Sequence, residues 1–427
     1  MKAVRLHGAG DFRIADLGAP RLTDIQRQVI ASAPLVVISE ETVLAAARHR
    51  TGLSDFGADD FRERLRIWLK NFDEDQGLGP LGRAGMFGDA VRYASARLRF
   101  EDLMKRHPEI RDVVIDRPII IAGLPRSGTT HLVNILAADP RLRSMQLWES
   151  MEPIPAPEDK AMPGEDDPRF VRTREMWGGF EAMLPLMPAM HEMAPDHVHE
   201  DIELQGLDFS SYLPECQSRP YRWRDYYYDH DQTPHYAYGR RVLQALTWLK
   251  GPDRWVLKPP PHMENLRPLI ATYPDATVVI THRDPIAVIQ SVITMLAYGD
   301  RIRRRTVDLK ELANYWIDRV EHLLRACVRD RDALPASQSF DVLFDDYMAD
   351  QKAVIARVYA MAGLPLTDEA EARIHAYLNA NPRDKHGRVH YDLKGDFGVD
   401  VAALRERFGF YYEHFSVRPE RIAGDRS

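Results

Sequence analysis

Between residues 40 and 110 the apolar positions recur at helical spacing. Val43, Leu44 and Ala47, and then Phe61, Leu65, Ile67 and Leu69, are separated by charged residues, a pattern that predicts helices rather than strands. The Gly-Leu-Gly-Pro-Leu-Gly stretch at 77–82 interrupts it, and a second helical stripe resumes through Val91, Leu98, Leu103 and Met104. Residues 25–110 therefore read as a helical N-terminal region packed on the main domain, preceded by an irregular extension over 1–24.

After Arg111 the texture changes. Short β-rich runs at 118–122, 254–258, 276–281 and 339–344 alternate with helix-length amphipathic segments at 129–138, 285–297, 308–333 and 349–362. The last of these stops at Gly363 with Pro365 beyond it. Short, mostly apolar strands alternating with helices predict an α/β fold in which helices cover both faces of a central parallel sheet. The main domain is expected to span 111–427, with residues 149–252 too long for a simple crossover and read as an insertion. That insertion is rich in proline and acid up to Phe170 and crowded with Met, His, Tyr and Trp afterwards. The composition suits a cover over a pocket that sets substrate choice, and suits an ordinary peripheral helical subdomain equally.

Bulk numbers narrow the function classes. The chain has 427 residues, with 57 basic against 64 acidic side chains and a net charge of −7, which argues against a broad nucleic-acid surface and makes any anion site local. Cys216 and Cys327 are the two cysteines, too few and too far apart for a disulfide framework or a cysteine metal site. No run approaches the ~18 consecutive apolar residues of a membrane span, and no signal-peptide core opens the chain, so a cytoplasmic protein is expected. The opening Met-Lys-Ala-Val-Arg-Leu-His-Gly-Ala-Gly looks like the first strand of a zinc-dependent alcohol dehydrogenase, but no G-x-G-x-x-G follows, so the likeness is a coincidence or an extended start. A homo-oligomer is compatible with the sequence.

The most informative stretch is Pro118 to His131, Pro-Ile-Ile-Ile-Ala-Gly-Leu-Pro-Arg-Ser-Gly-Thr-Thr-His. A β-branched run breaks into a glycine-bounded turn and resumes as a helix start, which is how backbone amides are gathered around a phosphate. From Gly123 to Thr130 the spacing fits G-x-x-x-x-G-K-[ST], except that Thr129 stands where the lysine belongs and the cation has moved to Arg126. The missing lysine argues against ordinary γ-phosphoryl transfer. A ligand-free turn between strand and helix is the plain alternative. The loop resembles the 5′-phosphosulfate loop of sulfotransferases, which use 3′-phosphoadenosine 5′-phosphosulfate (PAPS) and need no metal. The resemblance implies that Arg126, Ser127, Gly128, Thr129 and Thr130 hold the 5′ end of that nucleotide.

Further motifs extend the resemblance over about residues 111–400. Arg283 follows a predicted strand and Ser291 lies eight residues on, resembling the pair that binds the 3′ phosphate in the family. Lys258, Pro260 and His262 match the bacterial K-x-P-x-H reading. In-line transfer needs a cation near the leaving oxygen, a role for Lys258, and a base near the acceptor hydroxyl. His262, with an unperturbed pKa near ~6.5, suits that base. Glu200 is the rival, because Pro195 to Asp201 looks like the acidic motif of the bacterial branch. His197 and His199 would share one face of a strand, but no H-E-x-x-H or distant ligand cluster supports a metal site. Lys385, Gly387 and Arg388 match more loosely the loop that closes over the nucleotide, and a solvated loop fits as well. His131 and Phe344 depart from the aromatic residues common at the adenine end. The run Arg301, Arg303, Arg304 and Arg305 reads as a solvated face.

The sequence thus predicts a P-loop-like three-layer α/β domain with a helical N-terminal region and a helical insertion. The resemblance implies sulfuryl transfer from PAPS, without metal, to a hydroxyl, or less readily an amine, of a small-molecule or lipid-like acceptor. An ATP-dependent phosphotransferase and a noncatalytic nucleotide-binding protein are the competing readings.

Overall fold

A computed structural model of the protein describes residues 2–6, 11–16, 27–28, 30–31, 37–159, 164–251, 254–382 and 388–422. At its centre lie five parallel strands, β3 (Ile119–Gly123), β4 (Leu142–Ser144), β5 (Arg254–Leu257), β6 (Thr277–His282) and β7 (Ser339–Leu343), in the order β4-β5-β3-β6-β7. Four of these answer to the expected runs. The fifth, β4, has three residues and a central arginine, so it carries no apolar run to announce it. The chain runs from β3 out to β4 at one edge, returns through β5 beside β3, and then crosses to β6 and β7 on the other side. The carboxyl ends of β3 and β6 are therefore the switch point where doubly wound sheets bind ligands.

The side-chain period of two produces the three layers. Ile120 and Ala122 of β3, Trp255 and Leu257 of β5, and Val278 and Ile280 of β6 enter one core, whereas Ile119, Ile121, Val256 and Val279 enter the opposite one. The second core is closed by Leu132, Val133 and Leu136 of α4 (Thr129–Ala137) and by Ile355 and Val358 of α10 (Gln351–Met361). All are fully or nearly fully buried, each worth roughly 1.5–3 kcal/mol of apolar transfer.

The first core is much larger because three further groups of helices share it. α1 (Glu40–Thr51), α2 (Phe61–Glu74) and α3 (Pro80–Arg106) supply Leu44, Leu65, Trp68 and Leu98. The segment between β4 and β5 supplies Trp223 of α6 (Tyr221–Asp229) and Val242 of α7 (Thr233–Lys250), after α5 (Pro168–Met183). α8 (Pro285–Arg303) and α9 (Leu309–Asp330) complete it. Trp68 and Trp223 meet edge to face at 5.6 Å, so the N-terminal helices and the insertion are packed on each other as well as on the sheet.

Two expectations change. Residues within 1–24, expected to be irregular, include the antiparallel hairpin β1 (Lys2–Leu6) and β2 (Asp11–Asp16), whose second strand pairs with β8 (Arg388–Val389). The arginine run near 303 is no solvated face. Arg304 forms two bonds to Asp75 at 2.8 and 3.0 Å, the Arg303 carbonyl accepts from the Gly79 amide at 2.8 Å, and Arg301 is 7% exposed. The run ties α8 to the turn before α3. Cys216 and Cys327 are free thiols. No described helix is long and apolar enough to cross a membrane.

Candidate functional site

The loop between β3 and α4 is shaped by what it must avoid. A Cβ on Gly123 would stand 2.1 Å from the Thr281 hydroxyl of the neighbouring strand, so glycine is required for the two strands to stay paired. Arg126 takes a left-handed conformation with φ +67°, unusual for a side-chain-bearing residue, and Gly128 follows at φ +89°. This double left-handed turn starts α4 without any side-chain cap on its first turn, the arrangement that favours an anion there.

The strain at Arg126 is held by three bonds. Its carbonyl accepts from Arg283 at 2.6 Å, its Nε donates to the Ser291 hydroxyl at 3.0 Å, and a terminal nitrogen donates to the Met190 carbonyl at 2.6 Å. The structure therefore brings Arg126, Arg283 and Ser291 together, although residues 126 and 291 lie far apart in the chain. The remaining loop residues divide. Ser127 is fully buried, its hydroxyl bonded to the Leu124 carbonyl at 2.6 Å and to Thr281 at 2.8 Å, so it braces the loop. Thr129 is 2% exposed beside Gly123, whereas the Thr130 hydroxyl accepts from the Lys258 ammonium at 3.3 Å.

Lys258, just past β5, also forms an ion pair with Glu200. Its backbone amide donates to Asp201 at 3.0 Å, which fixes where the side chain begins. His262 is 1% exposed, enclosed in a short turn after Lys258. Its Nδ1 shares a hydrogen bond with the Tyr236 hydroxyl at 2.9 Å, and its Nε2 lies 3.3 Å from the Asp201 carboxylate without a hydrogen bond. Three more imidazoles line up along the segment before Glu200, with ring centres 5.8 Å apart for His191 and His197 and 6.2 Å for His197 and His199. Burial first, then the charges of Lys258 and Arg126, push His191 down to about 3; burial and the neighbouring histidines push His197 down to about 2. Both stay neutral at ordinary pH.

Several partners had no motif to announce them. Glu420 grips Arg283 with both carboxylate oxygens at 2.6 and 2.9 Å, and the Tyr391 hydroxyl meets Ser291 at 3.0 Å. Asp284 caps α8 through Ile286 and also holds the Glu420 amide at 2.7 Å. At the other end of the loop His131 bonds Tyr347 at 2.7 Å, while the Phe344 ring lies under the Arg283 guanidinium at 4.2 Å. Lys385 and Gly387 lie outside the described residues, and of Arg388 only its place in β8 is described. Among the described residues no group of three His, Cys, Asp or Glu is placed to hold a metal ion.

A phosphate-type loop at the switch point of a parallel sheet, ringed by Arg126, Arg283 and Lys258, defines an α/β transferase class that handles an anionic group. The sulfotransferase family model matches residues 118–368, more than half of the chain, and the protein belongs to that family. Sulfotransferase STF9 from Mycobacterium avium shares 28% identity and a TM-score of 0.80 over 90% of this chain and 98% of its own. Sulfotransferase STF1 from Mycobacterium tuberculosis H37Rv shares 29% identity and a TM-score of 0.76 over 87% and 98% respectively. No curated protein matches the sequence.

Proposed function

We propose that the protein transfers the sulfuryl group of PAPS to a hydroxyl of an apolar or aromatic small molecule. The observation that carries this reading is the contact of Lys258 with both Thr130, in the first turn of α4, and Glu200. It puts a cation, the phosphate-binding helix start and a carboxylate within one side chain's reach.

In the reaction the bond between sulfur and the bridging phosphate oxygen breaks as the acceptor oxygen bonds to sulfur. Lys258 stabilises charge on the departing oxygen, and Arg126 with the start of α4 stabilises the 5′ phosphate. The acceptor proton goes to Glu200. His262 has its Nδ1 engaged by Tyr236 instead. It faces Asp201, which holds the Lys258 backbone, and so acts as a positioning residue. Arg283 and Ser291 are assigned to the 3′ phosphate, and the cluster of Met183, Met187, Met190 and Tyr298 beside Arg126 suits an apolar acceptor.

Calorimetric titration with adenosine 3′,5′-bisphosphate and with ATP tests the donor. The bisphosphate should bind more tightly, and Arg283→Ala should weaken it selectively by at least about tenfold, the loss of a charge-assisted pair. Equal or tighter ATP binding, or indifference to the 3′ phosphate, would overturn the assignment.

A further inference from the structure

Guanidiniums from three helices gather around Glu152. Arg50 ends α1, Arg92 and Arg99 lie two turns apart on one face of α3, and Arg172 comes from α5. Both oxygens of Glu152 accept from Arg172, at 2.8 and 2.9 Å, and one also accepts from Arg99 at 3.3 Å. Asp159 completes the pairing of Arg172 at 3.0 and 2.8 Å. Arg92 is bound by Glu203 at 3.0 Å and by Asp89 at 3.3 Å.

Two donors are left over. Arg99 is 9% exposed, and its Nε is buried without an acceptor. Arg50 has no hydrogen-bond or ion-pair partner among the described residues. Both line a small cavity that opens to solvent and has room for about one water before side chains move, its wall carrying Arg50, Arg92 and Arg99 against the single carboxylate of Glu152. Partial burial lowers the Arg50 pKa, and the charges of Arg99, Arg172 and Arg92 add to this against the pull of Glu152. Fixed guanidinium forks match oxyanions.

We propose that this pocket is a second anion site, binding a sulfate or phosphate group, free or as the head of a small ester, on Arg50 and Arg99. The proposal does not depend on the identity of the donor nucleotide. Calorimetric titration of the full chain with inorganic sulfate, inorganic phosphate and phenyl phosphate, at ionic strength held constant with chloride, tests it. The wild type should bind one equivalent that Arg50→Ala binds at least tenfold more weakly and Arg50→Glu not at all; anion bound in the cleft is common to all three and cancels. Arg50 is exposed at a helix end, so both variants should keep the wild-type unfolding midpoint. Preference for phenyl phosphate over inorganic phosphate would assign an ester head, and equal binding a free oxyanion. Superimposable isotherms for the three proteins, or no binding, would overturn the proposal.

Discussion

Arg283 meets a carboxylate where a phosphate ligand is expected. Glu420 holds it with two bonds and thereby stands in for an anion, while the Arg126 carbonyl takes the third donor group. On the proposed assignment, a nucleotide with a 3′ phosphate would compete with that carboxylate for the same fork. Replacing Glu420 by glutamine removes the charge and keeps the shape. Glu420→Gln is therefore expected to tighten adenosine 3′,5′-bisphosphate about 5- to 30-fold, measured by calorimetry, with little effect on ATP, in line with roughly 1–2 kcal/mol for a partly exposed pair. Weaker bisphosphate binding in that variant would mean that Glu420 orients Arg283 for the nucleotide.

Among the elements, α9 does the most to hold the site in place. Arg319, fully buried, forks onto Glu264 at 2.7 and 2.6 Å and donates to Glu215 at 3.1 Å, where Tyr315 also donates at 2.8 Å. One side chain thus joins α9, the insertion and the residue following the His262 turn. Arg319→Met would strand two buried carboxylates and should lower stability by about 3–5 kcal/mol in urea unfolding. Replacing Glu215 and Glu264 by leucine in the same protein should restore much of the loss. No motif marks this triad, since its members become neighbours only through the packing of distant segments. The same physics sorts what the sequence displays from what it hides. Buried parallel strands such as Ile119–Gly123 and Thr277–His282 are apolar throughout and easily read. β4 is hidden because Arg143 spends its charge on Glu149 at 2.9 Å and lays its guanidinium over Trp255 at 4.2 Å. At the site, Arg126, Lys258 and Arg283 sit in local motifs, whereas Glu420 and Tyr391 reach their partners across 137 and 100 residues.

For the whole molecule, partly buried histidines held neutral weaken the fold in acid. Burial lowers His191 to about 3, His197 to about 2 and His322 to about 4, all below the value near ~6.5 expected in the unfolded chain. Below that value the unfolded chain takes up protons that the folded one refuses. The stability these groups contribute is complete above about pH 6.5 and is lost as pH falls toward 4, at up to ~1.4 kcal/mol per histidine per pH unit. Allowing for partial exposure, unfolding at pH 5.5 should cost about 2–4 kcal/mol less than at pH 7.5, read from urea midpoints. His191→Gln with His197→Gln should flatten that slope, and an unchanged midpoint would mean that these rings reach solvent.

The continuous core that runs from Leu65 and Trp68 through the insertion to Val278 has a practical meaning for anyone who would cut the protein down. The stretch that carries the family pattern, 118–368, shares that core with helices outside it and is expected not to fold alone. Excised, it would leave the apolar side of Trp223 facing water and would lack both Tyr391 and Glu420. The borders drawn by kinship and those drawn by folding differ in this chain, and a smaller version of it has to be trimmed along the second.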